Sequence, residues 1–240
     1  MKDKEGNIVA NEKNITNLLN YQFSTIGKSM AQKFTDQLVD PLRYINHNVV
    51  DSVYMAPTTP HEILKYIDKL DINKAAGSDE ISCLLIKLTR LIIAPVLSRL
   101  FNVCIFKSVF PDVFKIAEVI PLFKGGDRHI LGNYRPISLL PQFGKIFEKV
   151  IAKRLTDFFN ANNILTSHQF GFRKSYSTEL AAVDVYDQLL GKLHEKQITC
   201  AIFLDLAKAF DSVNHRILLE KTKQIWSQGT SFNVVKILLI

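Results

Sequence analysis

From Ile198 to Leu206 the chain reads ITCAIFLDL, an almost unbroken apolar run, rich in β-branched and aromatic residues, whose sole charge is Asp205. Such a run predicts a strand buried on both faces, and therefore an α/β layer that covers it. A carboxylate at the end of that strand is costly to bury unless a cation meets it, so a metal ion or a basic side chain is expected to face Asp205. With a helical turn from Ala207, Phe210 lies back over the pocket that Asp205 borders. Asp211 then points away, to cap or pair locally.

Upstream, apolar residues at Ile15, Leu18, Leu19, Phe23, Ile26, Met30 and Phe34 predict an amphipathic helix after a polar arm that ends near Asn14. Asp40 to Pro57 reads as an irregular linker. Thr59, Pro60 and Glu62 form a helix start, with Thr59 as N-cap and Glu62 placed to complete a capping box, and the helix should run to about Leu70. Lys74 to Ile81, KAAGSDEI, is a turn with a new helix start at Ser78 or Asp79. One or two apolar helices around Pro95 follow, from Ile81 to Phe106, and Pro111 with Asp112 marks a turn. Ile116 to Phe123 is a strand that continues into a hairpin with Gly125 and Gly126 near its tip.

Phe143 to Phe159 predicts a helix with Ile146, Phe147, Val150, Ile151, Leu155 and Phe158 on its apolar side and Lys145, Lys149, Lys153 and Arg154 largely on the other. Pro141 to Gly144 is its entry turn. Thr178 is the expected N-cap of a further helix, whose buried face is Leu180, Val183, Tyr186, Leu189, Leu190 and Leu193.

At 240 residues and 47% hydrophobic content the chain has ample material for a packed core. The net charge of +7 is concentrated: residues 121–174 hold nine Lys and Arg against three Asp and Glu, and the flanks are close to balance. That excess suits phosphates, although a solvated basic face reads the same way. Cys83, Cys104 and Cys200 lack metal-ligand spacing and read as reduced, structural thiols of an intracellular protein. Charges and Pro95 interrupt the most apolar stretch, Leu84 to Phe110, so no membrane span is expected.

FLDLAKAFDSVNH resembles the first catalytic motif of reverse transcriptases from non-LTR, LINE-like and jockey-like retrotransposons. The resemblance implies that Asp205 binds catalytic Mg²⁺ and that Phe210 sits under the sugar of the incoming nucleotide and excludes a 2′-hydroxyl. IPLFKGGDR followed by NYRPISLLPQFGKIFEKVIAKRL resembles the fingers motif of that family, which implies that Lys124 and Arg135 lie near the triphosphate. The residues alone leave Lys124 equally readable as a solvated loop lysine. SHQFGFRKSYSTELAAV resembles the motif in which a QxGFR turn leads into a helix beside the template, making Gln169, Arg173 and Lys174 candidates for template or phosphate contact, with ordinary turn roles as the competing reading. KAAGSDEI resembles a KxxGxDGI element in which Gly stands at the position of Glu80.

The resemblance covers roughly Lys74 to Lys221. It implies a partial right-hand polymerase, with a helical upstream and linker region over 1–73 and fingers plus the start of the palm over 74–240. RNA template, DNA primer and deoxynucleoside triphosphates are its implied partners. In the family an adjacent Asp-Asp pair supplies the other Mg²⁺ ligands, and this sequence has no adjacent Asp-Asp. The expectation is therefore a fragment, without the later palm, the thumb or an upstream endonuclease, that is inactive in nucleotide transfer as it stands. A non-enzymatic nucleic-acid-binding remnant is the alternative. A phosphatase of haloacid-dehalogenase type would want a second acid at Ala207.

Overall fold

The computed structural model describes residues 1–2, 6–31, 53–206 and 208–225. The fold is mixed α and β, with helices α1 (Glu12–Ala31), α2 (Pro60–Asp68), α3 (Cys83–Leu88), α4 (Arg90–Lys107), α5 (Gln142–Ala161), α6 (Thr178–His194) and α7 (His215–Ile225), and strands β1 (Glu118–Phe123) and β2 (Tyr134–Leu139). The chain divides into two units, one of residues 1–156 and 210–240 and the other of residues 157–209. The predicted linker lies mostly outside the described residues, as do Phe34 and the tail beyond 225.

The core of the first unit is helical. Ile63 and Ile67 of α2 are buried with Ala94, Leu97 and Phe101 of α4 and with Ile146, Phe147, Val150 and Ile151 of α5. Phe147 stacks on Phe101 at 4.6 Å and on Phe110 at 5.4 Å between ring centroids, and Phe110 meets Phe114 edge-on. Offset aromatic contacts of this kind contribute about 1 kcal/mol each beyond the area they bury. The α5 face read from its periodicity is therefore the face that packs.

Thr59 caps α2 as expected, its hydroxyl accepting the Glu62 N–H at 3.2 Å with Pro60 in the first turn. Glu62 does not complete a capping box. Its carboxylate accepts the Thr58 hydroxyl at 2.9 Å and two guanidinium N–H groups of Arg154 on α5. Arg154 also donates to the Ala56 carbonyl at 3.2 Å, which removes it from the solvated basic face where its helical position had put it. Buried Thr58 is further held by Asn102, which accepts its N–H at 2.7 Å and donates to its carbonyl at 2.9 Å, and by Ser98 at 2.9 Å.

Several local expectations shift. The helix start placed at Ser78 or Asp79 falls at Ser82, whose hydroxyl accepts the Leu85 N–H, while Asp79 holds the preceding turn through the Ile81 N–H. The apolar helices break at Thr89, and Pro95 is accommodated inside α4. Pro141 to Gly144 does form the entry to α5: Gln142 is buried and donates to the Ala75 carbonyl at 3.1 Å, and Gly77 sits against the Leu140–Pro141 backbone. Cys83 and Cys104 are buried, and burial pushes the Cys104 thiol up, but Cys200 is exposed.

In the second unit Ser177, not Thr178, caps α6, accepting the Leu180 N–H at 3.3 Å. No α6 residue is buried: of the apolar face read from Leu180 to Leu193, Leu180, Val183, Tyr186 and Leu193 are exposed and Leu189 and Leu190 are half-buried. Ile198–Leu206, expected as a strand buried on both faces, forms no strand and is exposed, with Phe203 at 87%. A strand is stabilised by hydrogen bonds to its neighbours, and among the described residues the only sheet is the β1–β2 pair. Among the described residues, then, the apolar pattern lacks the partners that would make it a strand.

Candidate nucleotide-binding site

β1 and β2 pair antiparallel, with Leu122 opposite Arg135 and Phe123 opposite Tyr134. The Lys124 N–H donates to the Asn133 carbonyl at 2.9 Å, which adds one rung and sets the phase of the ladder. Bonded rungs then alternate through Leu122–Arg135 and Ile120–Ile137, leaving Pro121 and Pro136 opposite each other on a non-bonded rung. Each proline nitrogen lies on an outer edge, where its missing N–H costs no ladder bond and blocks a further strand.

The same alternation assigns the side chains to faces. Phe123 and Tyr134 share one, with ring centroids 5.4 Å apart, and there the Arg128 guanidinium lies 4.9 Å above the Phe123 ring while the Tyr134 hydroxyl donates to the Arg128 carbonyl. Lys124 and Arg135 fall on the opposite face, diagonally across the ladder, with Ile120, Leu122 and Ile137 beneath them. Both are exposed, and the side chain of neither has a hydrogen-bond or ion-pair partner among the described residues. Two cations with uncommitted side chains on one face of a two-stranded ribbon form a ready fork for polyphosphate oxygens.

The tip that presents them is fixed by residues the sequence reading did not single out. The Asn133 amide donates to the Asp127 carbonyl at 2.9 Å, and the Asp127 carboxylate accepts the His129 N–H at 2.8 Å. That bond and the His129 ring hold the Asp127 carboxyl below its usual range, with Lys2 adding a weaker pull at 3.5 Å. Gly126, at φ +91°, leaves room for the Asn133 side chain, which a β-carbon would meet at 2.9 Å. An Asn six residues after an Asp in a Gly-containing loop is the only trace of this in the sequence.

The other candidates lie elsewhere. In the second unit Gln169 donates to the Gly171 carbonyl at 3.3 Å, and Arg173 donates to the Thr166 carbonyl at 2.8 Å with its guanidinium 4.3 Å over the Tyr176 ring. Both side chains therefore brace their own turn. Lys174 is exposed. Asp205 is exposed in the open segment described above, and Phe210, in a turn of the first unit, is 76% exposed. Asn214 rather than Asp211 caps α7, accepting the Arg216 N–H at 3.0 Å. Divalent cations require converging oxygen ligands, and no group of three His, Cys, Asp or Glu residues that could hold one is found among the described residues. The described residues thus do not fit a catalytic metal pair.

Residues 123–235, which include all seven candidate residues, match the family described as reverse transcriptase (RNA-dependent DNA polymerase). The chain is 30% identical over 226 residues, 94% of its length, to the probable RNA-directed DNA polymerase from transposon BS of Drosophila melanogaster. It is 33% identical over 171 residues to the corresponding probable polymerase from transposon X-element and 32% identical over 176 residues to the polymerase from mobile element jockey, both of the same fly, covering 71% and 73% of this chain. It spans 24%, 19% and 19% of the length of these three curated relatives. A basic hairpin inside the matched range, and relatedness to transposon polymerases that extends upstream of it, lead to one assignment: the chain belongs to the reverse transcriptases of non-LTR retrotransposons, of whose length it represents a part.

Proposed function

We propose that this chain supplies the nucleotide-gripping part of an RNA-directed DNA polymerase, and that metal-dependent nucleotidyl transfer belongs to a longer protein containing it. The observation that carries this reading is the pair Lys124 and Arg135, exposed and uncommitted on one face of a proline-edged hairpin. In that role the two cations take the triphosphate of a deoxynucleotide, Arg135 through its planar fork and Lys124 as a point charge. Phe210 is assigned to the sugar, and Lys174 to template or phosphate contact, joined by Gln169 and Arg173 once they leave the carbonyls they hold here. We assign Mg²⁺ as the metal, with Asp205 as one oxygen ligand among several. RNA template and DNA primer are the macromolecular partners.

The test is primer extension by a full-length polymerase carrying this segment. Arg135→Ala should raise KM for the deoxynucleotide at least tenfold, and Lys124→Ala by a smaller factor. Asp205→Ala should abolish synthesis, and Phe210→Ala should mainly relax discrimination against ribonucleotides. Unchanged KM in the Arg135 variant would remove the hairpin from the reading.

A second reading, nucleic-acid binding without transfer, rests on the basic stretch from Lys124 to Lys174, which suits a phosphate backbone. It predicts salt-dependent binding of a single-stranded oligonucleotide by the 240-residue chain that survives Asp205→Ala.

A further inference from the structure

α4 is apolar on both sides. Ala94, Leu97, Phe101 and Ile105 face the core, yet the opposite side carries Ile92, Val96, Val103 and Phe106, with Ile92 76% and Phe106 81% exposed. A helix that is hydrophobic all round belongs in an interior, so the outer side calls for a cover. The sequence spacing says what shape of cover. Ile92, Val96, Arg99, Val103 and Phe106 follow one another at intervals of four, three, four and three, the seam of a helix that packs along a second helix. Pro95, Arg99, Val103, Phe106 and Lys107 line a shallow groove of about 460 Å³ along this side.

The polar atoms of the groove divide into two kinds. Ser98 and Asn102 are turned inward and spent on the Thr58 backbone. Arg99, in the middle of the seam, and Lys107, at its end, have no hydrogen-bond or ion-pair partner among the described residues. Among the described residues no acidic side chain lines the groove. A cation at a seam position is tolerated under a covering helix only where a carboxylate meets it. A second copy of α4 laid antiparallel on the first and centred on the seam would set Arg99 against Arg99, so the charge pattern disfavours self-pairing.

We propose that the outer side of α4 is a docking surface for an amphipathic helix of a protein partner, with an apolar seam and a Glu or Asp opposite Arg99. Lys107 extends the preference to a second acid near the helix end.

The experiment is fluorescence anisotropy of the 240-residue chain with a labelled designed helical peptide bearing Leu at its seam positions and one central Glu, alongside the same peptide with Lys in that place. The Glu peptide should bind at least tenfold more tightly, and Arg99→Glu should invert the order; Arg99 is exposed, so the variant tests charge and not folding. Val103→Asp should weaken both peptides. An order that Arg99→Glu leaves unchanged, or no binding of either peptide, overturns the proposal. So does displacement of the Glu peptide by a single-stranded oligonucleotide, which would make this a nucleic-acid surface. Self-association of the chain that Arg99→Glu abolishes would overturn it in favour of an interface between copies.

Discussion

At Glu80 the backbone adopts φ +57°, the left-handed conformation that a β-carbon disfavours and glycine accepts freely. The related motif has Gly at this position, so the departure seen in the sequence has a conformational cost of about 1 kcal/mol. Glu80→Gly is therefore expected to stabilise the fold by about 0.5 kcal/mol after the extra chain entropy of glycine is counted, read as a higher urea midpoint. A lower midpoint would mean that the Glu80 side chain contributes something that offsets the strain. Three residues earlier the logic reverses. A β-carbon on Gly77 would lie 2.6 Å from both the Leu140 carbonyl carbon and the Pro141 nitrogen, backbone atoms at the entry to α5. Gly77→Ala should cost about 2 kcal/mol or more, because relief requires moving that turn and the Gln142 side chain bonded to Ala75.

The link between α2 and α5 rests on Glu62, whose carboxyl is held below its ordinary value chiefly by the Arg154 side chain, then by Thr58, against the cost of burial. A depressed folded pKa contributes stability that is complete above the unfolded value of about 4.5 and is lost as pH falls through the folded value. Glu62→Gln should cost about 2 kcal/mol at pH 7, and the gap between the two proteins should close on acidification through that window. Urea titrations at neutral and acid pH measure it, and a constant gap would show that the pair does not set the pH dependence. The elements this pair joins were legible beforehand, because α2 and α5, like α1, announce themselves through a local period, and α2 also through Thr59-Pro60. Their polar details were not. Glu62 and Arg154 are 92 residues apart, and nothing local told Glu62 to choose Arg154 over the capping box. Caps slipped by one to four residues where hydroxyls and carboxylates crowd together, as at Ser78, Asp79 and Ser82, since each can satisfy a helix N-terminus. The hairpin was readable from its glycines, and placing Lys124 and Arg135 on one face needed only the register.

Across the whole molecule, burial is uneven in a way that bears on function. Every buried hydrophobic side chain of the described residues lies in the first unit, and none lies within residues 157–209. The β1–β2 hairpin thus belongs to the unit that holds the packed core, although neither strand buries a residue, whereas Gln169, Arg173, Lys174 and Asp205 belong to a unit without one. Ile198–Leu206 shows why sequence reading failed most at this point: its pattern specifies two buried faces, but burial and strand hydrogen bonds both come from neighbours that a local window does not contain. A segment with few buried contacts opens at little cost. Amide hydrogen exchange on the 240-residue chain should thus be fast across 198–206 and throughout α6, and slow at Leu97, Phe101, Phe147 and Val150. Limited proteolysis should begin within residues 157–209 for the same reason. Equal protection of 198–206 and of α4 would mean that the apolar run is paired in solution and that Asp205 already stands at the end of a strand. Fast exchange that slows on adding an oligonucleotide would show that ligand binding supplies the order that this unit lacks, at an entropic cost that lowers its affinity.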